Sequence, residues 1–328
     1  MSVIASFPTE RKATLSLTGS LAAGVGFAIL ALMLAHRGAS TPIVITLALA
    51  AWAIAWFANV IWSRAEGLPP VLTRLAPAAV PLLFGLTLVF LWEVICVGLK
   101  VPTVLLPAPS LIMARLFASL PVLGADFAQT FVRAAVPGWL IGSAAGFLVA
   151  LACDRSDFLR RGLIPIGNFI SALPIIGIAP ILVMWFGFDW QSKAAMVVVM
   201  TFFPMLVNAV AGLAAAGRLE RDLMYSYGAS WLQTLLALRL PAAMPFLFNA
   251  LKINASLALI GAIVAEFFGT PTLGMGFRIS TEVGRMSLDM VWATIVIAAI
   301  AGSACFGALV LLEKRVTFWH PSQRRQRG

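Results

Sequence analysis

Glu93, Lys252 and Glu266 are ionisable side chains set within long apolar runs of a 328-residue chain, with Asn208 and Asn254 as polar company. A charge at mid-bilayer costs about 2.5–3.5 kcal/mol or more on insertion scales. Groups so placed carry a proton or ion, touch a solute, or brace another polar group. Lys252 lies near the end of its run and is expected to snorkel to the cytoplasm. Asn208 and Asn254 are expected to hydrogen-bond between helices, and Glu266 either to line an outer mouth or to brace Arg278. Catalysis finds no constellation to work with. His36 and His320 have no Asp, Glu or Cys at ligand spacing, and Asp154 with Asp157 reads as a solvated pair among arginines. Cys96, Cys153 and Cys305 have no paired spacing and read as apolar packers. No catalytic group, no metal site and no nucleotide-binding phosphate loop is expected in this chain.

A different pattern occupies residues 222–241, between two apolar runs. Leu223, Tyr227, Trp231 and Leu235 recur at the spacing of one helical face. Asp222 near the start and Arg239 near the end suit the two poles of a helix dipole. Gly228 falls in the middle, where it costs about 1 kcal/mol against Ala, and Pro241 is expected to end the helix. The spacing predicts an amphipathic helix lying along the membrane and bent at Gly228, either an ordinary interfacial helix or a lever on the span that follows.

The elements that position these residues are read from composition. Hydrophobic residues make up 61% of the chain and charged residues 11%, against about 25% charged in a soluble domain. The apolar sequence divides into segments long enough to cross a ~30 Å hydrocarbon core. Eight are expected, at about 15–35, 43–62, 77–98, 131–152, 169–187, 194–214, 242–266 and 289–312. Pro165, Pro174 and Pro180 interrupt the fifth. The net charge of +10 could suggest nucleic acid. With the amino terminus inside, however, Arg37, Lys100, Arg115, Arg133, Lys193, Arg278 and Arg285 fall outside, and about twice as many basic residues fall inside. That bias is an orientation signal. Both termini are expected in the cytoplasm and no nucleic-acid partner is expected.

The polar, Pro-containing stretch 63–76 reads as a hinge. It divides the chain into residues 1–76, carrying two extra amino-terminal helices, a membrane core over 77–316, and a basic tail over 317–328. A helix beginning at Ser110 is expected to lie along the outer surface. Gly142 and Gly146, four apart, allow two helices to approach closely. The Pro-broken stretch 165–187 is the expected wall of a solute pathway, since broken helices expose backbone groups to a cavity. Trp185 and Phe186 within it could stack on a flat ring or anchor an interface.

The run Asp222 to Pro241, with Gly228-Ala229-Ser230 and a closing Leu240-Pro241, resembles the cytoplasmic coupling loop of ABC-importer permeases. In that family the loop starts Glu-Ala-Ala before the Gly; here the positions hold Asp222, Leu223 and Met224. Further likeness to permeases of the nitrate/sulfonate/taurine importer group runs in order from about 78 to 316. It includes Leu91-Trp-Glu93, Leu106-Pro-Ala-Pro-Ser110, Ala172-Leu-Pro174, Trp185-Phe-Gly187, Phe202-Phe-Pro204 with Asn208, and Ala265-Glu266-Phe267. The resemblance implies an all-α polytopic protein of the bacterial inner membrane: a type I permease core of six helices plus two amino-terminal ones. It implies coupling to an ATPase through Asp222, Leu223, Tyr227, Gly228, Ala229, Ser230, Trp231 and Pro241. The implied pathway residues are Pro174, Trp185, Phe186, Asn208, Asn254 and Glu266. The implied partners are a dimer of ABC ATPase subunits holding ATP and Mg, a periplasmic or lipid-anchored substrate-binding protein, and a second permease copy. No cofactor is implied in the chain itself.

The closing run, Glu266 to Pro271 with Gly274-Met-Gly276, Arg278 to Glu282 and Thr317 to Pro321, looks most like a branch associated with pyrimidine-type vitamin precursors. Aliphatic sulfonates, taurine or nitrate-like anions come next. The competing function is an ion-coupled secondary transporter titrating Glu266 or Glu93. A lipid-modifying membrane enzyme would need clustered His or acidic residues, which the sequence lacks.

Overall fold

A computed structural model of the chain describes residues 7–64, 69–171, 175–269 and 272–319. All regular structure among these residues is helical. Among the described residues, seven helices are long and apolar enough to cross a membrane: Leu17–His36, Thr41–Ser63, Pro70–Gly98, Leu120–Arg155, Trp190–Ala214, Trp231–Glu266 and Leu288–Val316. The segment expected as a further span at 169–187 is instead two shorter helices, α7 (Asp157–Ser171) and α8 (Ile175–Phe186). Pro165 lies inside α7 and Pro180 inside α8, while Pro174 lies outside the described residues. Twelve residues of α8 rise only about 18 Å at 1.5 Å per residue, so α8 alone does not cross a hydrocarbon core. Because the ends of Leu120–Arg155 and Trp190–Ala214 meet through Arg239, the return crossing between them falls to α7 and α8 together.

Packing divides the chain into two units, residues 1–117 with 286–289, and residues 118–285 with 290–328. In the first unit, α1 (Phe7–His36), α2 (Thr41–Arg64) and α3 (Pro70–Gly98) pack on one another. Ala35, Val44, Ala48 and Val94 form one buried cluster, and Leu17 with Ala58 another. The helix predicted at Ser110 exists as α4 (Pro109–Ala118). Its start is held from elsewhere, because the Ser110 N–H and hydroxyl both donate to Glu93 on α3, at 2.9 and 2.7 Å.

The second unit is built around α6 (Val136–Arg155), α9 (Trp190–Ala214) and α12 (Leu240–Glu266). The predicted glycine approach is where α6 meets α9. A Cβ on Gly142 would sit 2.8 Å from the Val198 carbonyl, and one on Gly138 would sit 2.7 Å from the Ala194 carbonyl. Asn254 joins the same contact: its amide donates to the Thr201 carbonyl at 2.7 Å and the Ser143 hydroxyl at 3.0 Å. This is the interhelical role predicted for it.

Two spans contain π-helical stretches, Ala128–Ala135 and Leu235–Arg239. In each, the last amide before a proline reaches back five residues, Val136 to Phe131 and Leu240 to Leu235. Pro137 and Pro241 follow directly. A proline has no N–H and its ring crowds the carbonyl four residues back. Widening the helix by one residue relieves that crowding without breaking the rod. Pro241 therefore does not end a helix as the sequence suggested; the span runs on from Trp231 to Glu266.

Candidate functional site

The 222–239 segment is not one bent helix. α10 (Arg218–Ser226) forms first, and its end is a Schellman turn. Gly228 N–H donates to the Tyr225 carbonyl at 2.9 Å and Ala229 N–H to the Met224 carbonyl at 3.0 Å, with Gly228 at φ +67°. Ser230 then caps α11 (Trp231–Thr234): its hydroxyl accepts from Gln233 N–H, and the Gln233 side chain accepts from Ser230 N–H. That reciprocal box fixes the start of the next helix. In Gly228-Ala229-Ser230 the glycine thus closes one helix, the alanine links, and the serine opens the next.

The two sides of this turn differ. α10 has no buried residue at all. Leu219 is 83% exposed, Tyr225 86% and Tyr227 81%, and Leu223 and Asp222 are exposed as well. Tyr225 and Tyr227 are the two tyrosines of the whole chain. After the turn the chain goes inward: Leu235 is buried and packs with Leu213 and Ala243, and Trp231 lies against that cluster. Leu223 and Tyr227 therefore do not share a face with Trp231 and Leu235, because the Schellman turn breaks the helical register between them.

Asp154 is not a solvated residue. Arg239 donates to both of its carboxylate oxygens, with Nη1 at 2.7 Å from Oδ2, and Trp231 Nε1 donates to Oδ2 at 3.2 Å. The Arg155 guanidinium lies 5.0 Å over the Trp231 ring. Arg239 Nε meanwhile donates to the Leu213 carbonyl near the end of α9, at 3.1 Å. No sequence motif marks this assembly. Its one signal is an acid at the end of one apolar run and an arginine at the start of another.

At the other end of α12 a second polar assembly is buried. Glu266 accepts from the Thr130 hydroxyl at 2.8 Å and from Gly276 N–H at 2.7 Å. It does not brace Arg278. That role falls to Asp126, 2.7 Å from Arg278 Nε, with Glu282 further off at 3.6 Å. The Asp126 hydrogen bond holds the Arg278 guanidinium deeper in its charged range, against the opposing effect of burial. Asp126 also accepts from Gly274 N–H at 2.9 Å, which leaves the turn before α13 (Met275–Gly284) pinned from two sides.

Lys193, expected in an outer loop, is buried in the first turn of α9 and donates to the Phe188 carbonyl. Lys252 does not snorkel free; it pairs with Glu313 on α14 (Leu288–Val316). Of the residues expected along a pathway, Pro174 lies outside the described residues. Asn254 and Glu266 are buried and bonded, Asn208 donates to the Pro204 carbonyl, and Trp185 and Phe186 stand exposed on α8.

Residues 142–318 match the family model described as "Binding-protein-dependent transport system inner membrane component". A "Probable ABC transporter permease protein" of Haemophilus influenzae is 32% identical over 217 residues, 66% of this chain and 88% of that protein. The "Formylaminopyrimidine transport permease protein ThiX" of Halalkalibacterium halodurans is 31% identical over 251 residues, covering 74% and 96%. The "Putative aliphatic sulfonates transport permease protein SsuC" of Bacillus subtilis is 26% identical over 243 residues, covering 74% and 87%.

Proposed function

The chain belongs to the family of binding-protein-dependent transport system inner membrane components, the permease subunits of ABC importers, and from that premise we propose that its α10 is the docking element for a separate ATPase. The protein is a multi-pass membrane permease of the nitrate/sulfonate/taurine group, not an ion-coupled transporter. Both carboxylates that an ion-coupled cycle would titrate are already engaged: Glu93 holds the start of α4, and Glu266 the turn at Gly276.

One observation carries the docking proposal. α10 joins two spanning helices yet has no buried residue, while Leu219, Leu223 and Tyr225 on it and Tyr227 just past its end are exposed. Exposed aromatic side chains on a short rigid helix are what a partner's groove takes up. ATP and Mg belong on that partner. We assign the transport core to residues 77–316, working as two copies, with α10 and both termini in the cytoplasm and a binding protein delivering solute from the other side. ATP closure of the ATPase dimer would draw the two α10 helices together and open the core outward.

For cargo, a pyrimidine-type vitamin precursor or related heterocycle is favoured, supported by the relative named for formylaminopyrimidine transport. An aliphatic sulfonate is the next choice, supported by the relative named for that class. Trp185 and Phe186, exposed on α8, are the side chains we assign to meet a flat ring along the pathway.

The docking test is cross-linking. A cysteine at Tyr225, in a chain freed of Cys96, Cys153 and Cys305, should cross-link to the co-expressed ATPase in membranes. A cysteine at Leu105 on the first unit should not. An ATPase that co-purifies with the permease yet never captures Tyr225→Cys would end the assignment.

A further inference from the structure

Resting on the docking role of α10, we propose that the Arg239 guanidinium is the positioning residue that turns motion of α10 into joint motion of α6, α9 and α12. The loop carrying α10 leaves the membrane core after α9 and returns through Trp231. Both of its stems close on one side chain. Arg239 Nε holds the Leu213 carbonyl on the departing stem, and its two terminal nitrogens hold Asp154 at the end of α6. Trp231, on the returning stem, donates to the same Asp154 carboxylate and lies under Arg155.

The clasp is largely shielded, since the Arg239 and Asp154 side chains are 14% and 13% exposed. The planar fork of arginine meets both carboxylate oxygens at once while its Nε bonds elsewhere. A lysine has one nitrogen and cannot hold both partners in that geometry. α10 itself has no buried residue, so a force on it enters the core chiefly through its stems. With the clasp shut, the stems and α6 move as one body. With it open, α10 can swing on the Gly228 turn and leave α6 behind.

The test uses the complete transporter, permease with its ATPase and binding protein, in lipid nanodiscs. Nitroxide labels are placed at Ser226→Cys on α10 and Ser156→Cys just past α6, in the chain freed of native cysteines. Their separation is read by pulsed electron resonance without nucleotide and with Mg-ATP plus vanadate. With the clasp intact, one narrow separation persists in both states. Asp154→Asn and Arg239→Lys should each let the separation shift by several ångströms on nucleotide trapping, and Trp231→Phe should give a smaller shift. A variant distribution that stays narrow, or that broadens equally with and without nucleotide, overturns the proposal, because the pair then serves folding alone. ATPase capture by Tyr225→Cys, run alongside, separates this outcome from failure of the docking role itself.

Discussion

Lys252 Nζ lies 2.9 Å from Glu313 Oε2, so a charge inside α12 is matched by one inside α14. Both side chains are more than four-fifths shielded. Breaking one side of such a pair strands a charge, whereas replacing both with apolar groups of similar size can be neutral.

Glu313→Gln is therefore expected to destabilise the detergent-solubilised permease by about 3 kcal/mol, the lower end of the range for shielded pairs. The double variant Lys252→Met with Glu313→Met should recover most of that loss. Thermal unfolding of the two proteins side by side checks the order. Equal losses in both would mean that shape, not charge, decides at this contact.

The α6–α9 contact has no room for a side chain at Gly142, where a Cβ would meet the Val198 carbonyl at 2.8 Å. Gly142→Leu should cost more than the ~1–3 kcal/mol typical of overpacking, because the obstacle is backbone. Loss of monodisperse protein on size exclusion is the expected readout. Gly307, whose Cβ would meet nothing within 4 Å, should accept Ala at no cost in the same assay.

Gly228 is a different case. A Cβ there would touch nothing, and only the φ of +67° penalises it. Gly228→Val should cost about 1–2 kcal/mol locally and disturb the exit of α10, with membrane insertion intact. ATPase capture should drop while the permease remains folded. Gly228→Asn, which tolerates the left-handed region, should behave nearly as wild type. If valine and asparagine prove indistinguishable in ATPase capture, the turn is not what orients α10.

Tyr225→Asp and Leu223→Asp alter exposed side chains that touch no core. Permease stability should stay within about 0.5 kcal/mol, as for ordinary surface changes. Retention of the ATPase on an affinity-tagged permease should fall at least about tenfold, equivalent to ~1.4 kcal/mol of lost binding. Unchanged retention would relocate the docking face.

The membrane class, the family and the seven long spans could be read from the chain alone. Apolar run length against bilayer thickness is a one-dimensional property, and so is the order of short motifs from Trp92 to Glu266. The close approach at Gly142 was legible for the same reason, since small residues four apart share a face whatever lies opposite. The 169–187 region reads as one span because hydropathy sums straight through its prolines, whereas the structure divides it between α7 and α8. Pro241 misled in the reverse sense, as a helix end: a π-turn absorbed it, and nothing in a sequence window marks that widening.

What folding alone decided is the pairing of charges far apart in sequence. Asp154 stood among arginines and looked solvated, yet it is taken by Arg239, 85 positions on. Arg278 had a carboxylate at Glu266 near to hand and went instead to Asp126, 152 positions away. Local composition sets which groups are charged, but shielding from water and the direction of a guanidinium fork depend on which helix ends meet. Only the packed arrangement of α6, α9 and α12 determines that meeting.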